Sequence, residues 1–239
     1  MTQAVAQAVD VEAPVLDIFA SLQGEGICVG DPHIFVRFGG CNVACDYCDT
    51  PESIPAGSGQ LRQLQDVTDR IRALDPERRS TAVSLTGGEP LLQIGFLERL
   101  IPELRADGRK IYLETNGTLP RALDKIVEGC DWIAMDMKPE SAIGRDMWEA
   151  HRWFLETGGK KVFVKMVLTG TTTEKEVSRA VTLIAGVRPD IPLVLQPATA
   201  WGPASSIPLA RLASWWALAN RQLSDVRILP QIHRLWGIP

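Results

Sequence analysis

The sequence predicts an α/β fold built as a single domain around a partial (β/α)6 barrel, and two observations support this prediction. Short β-branched or apolar runs alternate with amphipathic stretches at helical spacing, which is typical of parallel βαβ units. Polar motifs follow four of these runs directly. Because the loops after the strands of a parallel α/β barrel meet on one face, we expect the chemistry of the chain at one mouth of the barrel.

The predicted elements follow from the apolar periodicity along the 239 residues. Seven strands are predicted, at 34–38, 82–85, 110–114, 132–135, 161–167, 192–195 and 226–229. A helix is predicted near 61–74, and another where apolar residues recur at helical spacing from Phe96 to Leu104. Thr173 and Glu176 form a capping box for a later helix. Residues 1–13 carry no such pattern and are predicted to be a loose N-terminal tail, which leaves 14–239 as the core domain.

Composition and charge argue against several classes of function. Hydrophobic residues make up 45% of the chain and charged residues 23%, the balance of an ordinary globular protein. The net charge of −4 argues against a nucleic-acid partner, which would require a basic face. The apolar runs are too short for a membrane span, and the N-terminal residues do not read as a secretory signal. We therefore expect a cytoplasmic protein in a reducing compartment.

Three clustered cysteines, Cys41, Cys45 and Cys48, have the spacing C-x3-C-x2-C. A cubane [4Fe–4S] cluster normally takes four thiolates, one per iron, so three thiolates would leave one iron open to a small molecule. The alternatives are a structural zinc site with His33 as the fourth ligand, and a disulfide that leaves one thiol unpaired. Cys130 lies beside a predicted strand and is expected to be a small buried hydrophobe.

Four polar motifs follow predicted strands. They read Thr-Gly-Gly-Glu-Pro at 86–90, Glu-Thr-Asn-Gly at 114–117, Asp-Met-Lys-Pro at 136–139 and Gln-Pro-Ala-Thr at 196–199. The glycines of the first motif would let the backbone approach a ligand closely, because no Cβ stands in the way. Each motif also has a structural alternative. The first could be a tight turn with Pro90 at a first helical position, the second an Asn-Gly turn, and the last two ordinary loops.

Further polar residues lie upstream of the cysteines and at the C-terminus. The run Ser-Leu-Gln-Gly-Glu-Gly at 21–26 is either a surface turn or a source of an amide and a carboxylate for a nitrogen-rich heterocycle. Arg37 is a cation within an apolar strand and needs an anionic partner, because a buried unpaired charge is costly. That partner is either an internal carboxylate or the carboxylate of a substrate in a bidentate clamp. The C-terminal run 231–239 is apolar enough to dock, which leaves His233 as a core, surface or site residue.

Taken in order, these motifs resemble the 7-carboxy-7-deazaguanine synthase family of the radical S-adenosylmethionine (SAM) superfamily. The matching features are Ser-x-Gln-Gly-Glu-Gly, Phe-Val-Arg, the three cysteines followed by Asp-Thr, and Thr-Gly-Gly-Glu-Pro, and the resemblance runs from about Asp17 to the C-terminus. It implies a partial TIM-like (β/α)6 radical SAM barrel whose C-terminal segment closes on the substrate pocket. It also implies a homodimer that receives electrons from a donor such as flavodoxin.

The resemblance implies a lyase reaction in the biosynthesis of queuosine and other 7-deazapurines. SAM bound to the open iron would be cleaved to a 5′-deoxyadenosyl radical, which abstracts hydrogen from C6 of the small-molecule substrate 6-carboxy-5,6,7,8-tetrahydropterin. Ring contraction and loss of ammonia would then give 7-carboxy-7-deazaguanine, with SAM regenerated. In this scheme the cofactor carries the difficult chemistry, and the protein supplies position and electrostatics.

The same resemblance implies roles for individual residues. Cys41, Cys45 and Cys48 would bind the cluster, and Thr50, otherwise a loop residue, would bind Mg²⁺ through its hydroxyl. The implied substrate-binding residues are Leu22, Gln23, Gly24, Glu25, Arg37, Thr86, His233 and Pro239. The implied SAM-binding residues are Tyr47, Cys48, Asp49, Gly88, Glu89, Thr115, Asn116, Asp136, Met137, Lys138 and Gln196. The chain departs from the family in two places: the family has Ser-Pro-Lys at 136–138, and its loop after the cysteines is often longer than 51–57.

Other functions are open to the same sequence. Another radical SAM enzyme, such as an activase that removes hydrogen from a glycine of a partner protein, shares C-x3-C-x2-C, but the sequence has no second, ferredoxin-like cysteine cluster. A homologue with a changed substrate is a further alternative. A non-catalytic module would hold zinc on the cysteines, and it would be colourless and without affinity for SAM.

Overall fold

A mixed β-sheet forms the centre of the computed structural model, which describes residues 11–199 and 207–239. Nine strands are found in this part of the chain: β1 (Glu12–Leu22), β2 (Pro32–Phe38), β3 (Gln60–Gln63), β4 (Ala82–Gly87), β5 (Ile111–Thr115), β6 (Trp132–Asp136), β7 (Val162–Leu168), β8 (Leu193–Pro197) and β9 (Val226–Ile228). Their order across the sheet is β3-β1-β2-β4-β5-β6-β7-β8-β9. Neighbouring strands run parallel from β2 onward, whereas β1 is antiparallel to both β2 and β3.

Helices connect the parallel strands and cover one face of the sheet. The α-helices of the described ranges are α1 (Leu64–Leu74), α2 (Ile94–Ala106), α3 (Pro120–Asp124), α4 (Glu140–Ile143), α5 (Trp148–Gly158), α6 (Glu174–Val187), α7 (Leu209–Ala219) and α8 (Ile232–Trp236). The capping box predicted for Thr173 and Glu176 is present at the start of α6, where each side chain accepts a hydrogen bond from the backbone N–H of the other. No helix in residues 11–199 and 207–239 has the length and apolar character that a membrane crossing requires.

All seven predicted strands are present, and their bounds agree with the structure within two residues. Two strands at the edge of the sheet were not predicted. β1 begins at Glu12 and buries Ala13, so the fold starts within the segment predicted as a tail, of which residues 1–10 lie outside the described residues. The helix predicted near 61–74 is present as α1, but it begins at Leu64, because the residues before it form β3.

The two faces of the parallel strands have different roles. Alternate residues such as Ile111 and Leu113 face the helices and join the large core, because successive side chains of a strand point to opposite faces. The other face, here called the inner face, carries a small apolar cluster near the beginnings of the strands. Its members are Cys28, Ala82, Tyr112, Ala134, Phe163 and Val194, here called the floor.

The loop after β1 presses on the floor. Gly26 has a φ of +69°, and a Cβ atom there would lie 2.6 Å from the ring of Phe163. A side chain at this position is therefore excluded by both conformation and space. The apolar floor closes the inner face below the level at which polar side chains appear.

Candidate active site

A pocket lies on the inner face at the carboxyl ends of the parallel strands. Six parallel strands contribute to its wall, namely β2 with Phe35 and Arg37, β4 with Thr86, β5 with Glu114 and Thr115, β6 with Ala134 and Asp136, β7 with Lys165 and Val167, and β8 with Gln196. Leu22, at the end of the antiparallel strand β1, also lines it. The loop after β1, the cysteine loop (residues 39–50) and the C-terminal segment (residues 231–239) complete it. The pocket therefore joins motifs that are far apart in the sequence.

Cys41, Cys45 and Cys48 all line this pocket and are half-buried. Backbone hydrogen bonds anchor their loop, from the Cys41 N–H to the carbonyl of Ile54 at 3.0 Å and from the Asp46 N–H to the carbonyl of Ala142 in α4 at 3.2 Å. Three thiols therefore face one cavity from a fixed loop. This donor set fits a [4Fe–4S] cluster, which the three cysteines would hold with one iron left free of a protein ligand.

The alternatives for the cysteines find little support in the structure. His33, the candidate fourth zinc ligand, is buried at the start of β2, where its Nδ1 lies 2.8 Å from the Ser84 Oγ, and it does not line the pocket. No cysteine of the described residues forms a disulfide. Cys28 lies in the floor and Cys130 in the large core, where burial raises the pKa of Cys130 to about 12, as expected for a small buried hydrophobe.

Two glycines let the loop after β4 pack against the cysteine loop. Gly87 has a φ of +130°, and a Cβ atom there would lie 2.1 Å from the carbonyl oxygen of Phe38. A Cβ atom on Gly88 would lie 2.1 Å from the carbonyl oxygen of Gly40. Only glycine fits these positions, and the Gly88 backbone is left open to the pocket.

Glu89 does not line the pocket, although the sequence suggested a contact with SAM. Its fully buried carboxylate accepts hydrogen bonds from the Leu91 N–H at 3.0 Å, the Asn116 N–H at 2.8 Å and the Thr115 hydroxyl at 2.9 Å. Burial raises its pKa to about 7, against the effect of these hydrogen bonds. Glu89 thus holds Thr115 and Asn116 in place, and these two residues face the pocket.

Asn116 also connects two loops of the site. Its side-chain amide donates to the Oδ1 of Asn42 at 2.8 Å, and its own Oδ1 accepts from the Thr118 hydroxyl at 2.6 Å. The Asn42 amide donates to the same hydroxyl at 2.8 Å. This closed set of hydrogen bonds fixes the loop after β5 to the loop that carries the cysteines.

Gln23 and Glu114 are joined in the wall of the pocket. The Gln23 amide donates to Glu114 at 3.0 Å, and the Thr86 hydroxyl lies 3.4 Å from the same carboxylate. The guanidinium of Arg37 lies 5.2 Å from the ring centroid of Phe19, and within residues 11–199 and 207–239 it has no ion pair with a carboxylate. The internal ion pair considered for Arg37 is therefore not seen in this part of the chain.

Four largely buried side chains of alternating charge run along one wall of the pocket, and we call them the charge chain: Glu25, Lys165, Asp136 and Lys138. Lys165 pairs with Glu25 and lies 3.5 Å from Asp136, and Lys138 lies 2.8 Å from the same oxygen of Asp136. Burial alone would lower the pKa of both lysines, but the carboxylates outweigh it and raise the pKa of each. Burial would raise the pKa of Asp136, but the two lysines hold it below its usual value. Lys138, Asp136 and Lys165 are therefore all charged at neutral pH.

Lys138 reaches the cysteine loop. Its ammonium lies 5.0 Å from the ring centroid of Tyr47, which stands between Cys45 and Cys48 in the sequence. Burial raises the pKa of all three cysteine thiols, and Lys138 is among the groups that lower it. Its charge therefore favours the thiolate form that binds metal.

The C-terminal segment closes over the pocket. The Ile232 N–H donates to the carbonyl of Gly24 at 2.9 Å, and His233 packs so tightly on Gly24 that a Cβ atom there would lie 2.6 Å from its own Cβ. The His233 ring lies between two carboxylates, 3.9 Å from Glu25 and 3.5 Å from Asp49. Pro239 lines the pocket, with its carbonyl oxygen 3.5 Å from the Ser21 hydroxyl.

The pocket collects almost every residue singled out in the sequence. The candidate cluster, magnesium and substrate residues all line it, and among the candidate SAM residues only Glu89 and Met137 do not. Met137 is buried in the large core. Lys165, Glu114 and Gln231 line the pocket without having been assigned a role. Lys165 could have been identified from the sequence, because it is a lone cation in the apolar strand β7, as Arg37 is in β2.

Comparisons with known proteins identify relatives across nearly the whole chain. The model of the radical SAM superfamily matches residues 35–184. A 7-carboxy-7-deazaguanine synthase from Geobacter sulfurreducens is 39% identical over 94% of this chain and 97% of its own length. The enzyme of the same name from Methanothermobacter thermautotrophicus is 34% identical over 95% and 98%.

Solved structures share the fold. The crystal structure of QueE from Escherichia coli aligns with a TM-score of 0.65 over 93% of this chain and 95% of that one, at 22% sequence identity. A radical SAM methyltransferase from Sphaerobacter thermophilus aligns with a TM-score of 0.64 over 84% of this chain and 66% of that one, at 15% identity. The predicted α/β fold of the radical SAM type is confirmed.

Proposed function

Because the chain belongs to the radical SAM superfamily and, within it, to the 7-carboxy-7-deazaguanine synthase family, we propose that it converts 6-carboxy-5,6,7,8-tetrahydropterin into 7-carboxy-7-deazaguanine. In this lyase reaction hydrogen is removed from C6, the ring contracts and ammonia leaves. The observation that carries the proposal is the shared pocket. The three cysteines and the polar residues suited to a heterocycle line the same cavity.

A [4Fe–4S] cluster and SAM belong to this superfamily, and together they supply the 5′-deoxyadenosyl radical when bound. Cys41, Cys45 and Cys48 would hold the cluster. The proposed SAM contacts that line the pocket are Tyr47, Asp49, Gly88, Thr115, Asn116, Asp136, Lys138 and Gln196. The buried Oδ1 of Asp136 and Oε1 of Gln196 have no hydrogen-bond partner among the described residues, which supports contact with a ligand donor. Glu89 would act by holding Thr115 and Asn116.

The heterocycle would lie at the end lined by Gln23, Glu25 and Glu114. A pterin edge presents N–H donors, and the two carboxylates are acceptors suited to them. Arg37, which lacks an ion pair in the described part of the chain, can receive the substrate carboxylate through two parallel hydrogen bonds. His233, with Leu22, Gly24, Thr86 and Pro239, would complete the enclosure and exclude water.

We place Mg²⁺ at Thr50. Its hydroxyl lies in the pocket, 3.3 Å from the Oδ1 of Asp49, and Mg²⁺ prefers hard oxygen ligands completed by water and substrate. Glu25, Asp49 and His233 also offer donor atoms within 4.8 Å of one another. The Lys165 ammonium, however, already pairs with Glu25 and would repel a cation there. We further propose that the protein is a homodimer, that it receives electrons from a donor such as flavodoxin, and that it works in the reducing interior of the cell.

The test is anaerobic reconstitution with iron and sulfide, followed by SAM, Mg²⁺, a reductant and the pterin. The expected product by mass spectrometry is 7-carboxy-7-deazaguanine, formed without net loss of SAM. A brown protein that yields only 5′-deoxyadenosine would refute the substrate while keeping the radical SAM assignment. A colourless protein would refute the cluster.

A further inference from the structure

We propose that the charge chain sets the reduction potential of the cluster, with Lys138 raising the potential and Asp136 opposing it. The inference rests on the cluster part of the proposed function and does not depend on the identity of the substrate. It assigns Lys138 and Asp136 an electrostatic role that is separate from any contact with SAM.

The first step of the argument is that these charges are fixed in place. The side chains of Glu25, Lys165, Asp136 and Lys138 are each 15% exposed or less. Each member contacts the next, so the order of charges along the wall is negative, positive, negative, positive. Charges held in a poorly solvated wall are screened much less than surface charges, and their fields extend further.

The second step is that the charge chain ends at the cysteine loop. Lys138, the terminal cation, stands over Tyr47 within the cysteine loop. Apart from the effect of burial, Lys138 lowers the pKa of the Cys45 thiol and Asp136 raises it, whereas Lys165 and Glu25 are not among the main groups that act on this thiol. The four side chains therefore act on the cluster with unequal strength. Lys138 has the largest effect, followed by Asp136, and Lys165 and Glu25 act from further away.

The third step is that the two lysines are the only charges that balance Asp136 in the described part of the chain. Its Oδ2 accepts from Lys138 and lies near Lys165, while its buried Oδ1 has no hydrogen-bond partner there. No described backbone N–H neutralises this carboxylate. Its removal would leave two buried cations facing the cluster without an intervening negative charge.

The direction of each effect follows from the electron added on reduction. A nearby cation stabilises the more negative, reduced cluster and raises its potential, and a nearby anion lowers it. Lys138→Met should therefore shift the potential to more negative values, and Asp136→Asn should shift it to more positive values. Lys165→Met and Glu25→Gln should give smaller shifts, negative and positive respectively.

The measurement is an anaerobic redox titration of the reconstituted holoenzyme without SAM, monitored by electron paramagnetic resonance. Omitting SAM separates the electrostatic role from any role in binding it. The matched control is the pair Lys161 and Glu128, whose charged atoms lie 3.3 Å apart beside the start of β7, at the floor end of the sheet. Lys161→Met and Glu128→Gln should leave the potential unchanged.

Lys138→Arg is the control for loss of structure at this position. It keeps the charge and should hold the potential close to that of the wild type, whereas Lys138→Met should not. A double variant, Asp136→Asn with Lys138→Met, should return the potential toward the wild-type value, because one charge of each sign is lost. Iron and sulfide contents equal to those of the wild type are required of each variant compared.

The inference is overturned if Lys138→Met and Asp136→Asn shift the potential in the same direction, or if neither shifts it. It is also overturned if Lys138→Arg behaves like Lys138→Met, because charge would then not be the cause. Unchanged potentials in an enzyme that forms 7-carboxy-7-deazaguanine would refute this inference alone. The expected shifts in a protein that forms no such product would refute the substrate assignment alone, and a wild type without a cluster would refute both.

Discussion

The beginnings and the ends of the same parallel strands differ sharply on the inner face of the sheet. Near their beginnings, Tyr112, Phe163 and Val194 form part of an apolar floor. Two residues later, Glu114, Lys165 and Gln196 line the pocket. Because side chains of a strand alternate between faces, a step of two residues keeps the same face and moves only along the strand.

The floor and the pocket level lie about 7 Å apart along each strand. The floor contributes to stability, and the pocket level carries the chemistry. The floor provides buried apolar area and excludes water from below. The level above it carries the ionic and hydrogen-bonding groups, whose charges are strengthened by the poorly solvated surroundings. Substitutions at the two levels should therefore have different consequences, even within one strand.

The largest effect is expected at the pocket level from Cys45→Ala. Loss of one of three thiolates should abolish cluster assembly and product formation, while leaving the fold intact, because Cys45 is only half-buried. Iron content and product yield measure the loss, and circular dichroism checks the fold. Cys130→Ala, in the large core, is the matched control and should retain the cluster at some cost in stability. A Cys45→Ala protein with a full complement of iron would contradict the assignment.

The next effect compares the two levels directly within β7. Phe163→Ala should lower the free energy of unfolding by about 3–5 kcal/mol, because it opens a cavity in the floor. Lys165→Arg keeps the positive charge and should change stability much less, but it should reduce product formation, because the larger guanidinium alters the pairing with Glu25. Denaturant unfolding of the protein without cofactors, together with the product assay, separates the two. Equal losses of stability in both variants would remove the distinction between the levels.

A smaller effect is expected from Thr50→Ala. Loss of the hydroxyl should weaken Mg²⁺ binding and reduce ring contraction by about tenfold or more, with cluster assembly unaffected. The measurement is the dependence of the product rate on Mg²⁺ concentration. Thr50→Ser retains the hydroxyl and should behave like the wild type. An unchanged Mg²⁺ dependence in Thr50→Ala would exclude Thr50 as the ligand.

Much of this organisation could be predicted from the sequence, because the parallel strands are short apolar runs with polar motifs at their ends. The strands β1 and β3 were not predicted, and the reasons are physical. β1 pairs antiparallel to its neighbours and lies outside the βαβ repeat, and all four residues of β3 are exposed, so no apolar alternation marks it.

The site shows the same limits at the level of single residues. Arg37 was singled out as a cation in an apolar strand, and the same reasoning applied to Lys165 would have placed it on the inner face. Glu89 is a different case, because its motif marks the position but not the direction of the side chain. That direction depends on Thr115 and Asn116, which reach it only through the fold.

The smallest effect concerns the pH dependence of stability and arises just below the pocket, at His33. Burial lowers the pKa of this histidine to about 4, below its usual value of about 6.5. Between these two values the unfolded chain binds a proton that the folded chain does not, so stability falls as the pH falls through this window. The loss is at most about 1.4 kcal/mol per pH unit for one such group. His33→Gln cannot take up this proton and should show a shallower loss of unfolding free energy between pH 6.5 and pH 4, measured on the protein without cofactors. Equal slopes in the two proteins would mean that His33 is not held neutral by its burial beside Tyr112 and Ser84.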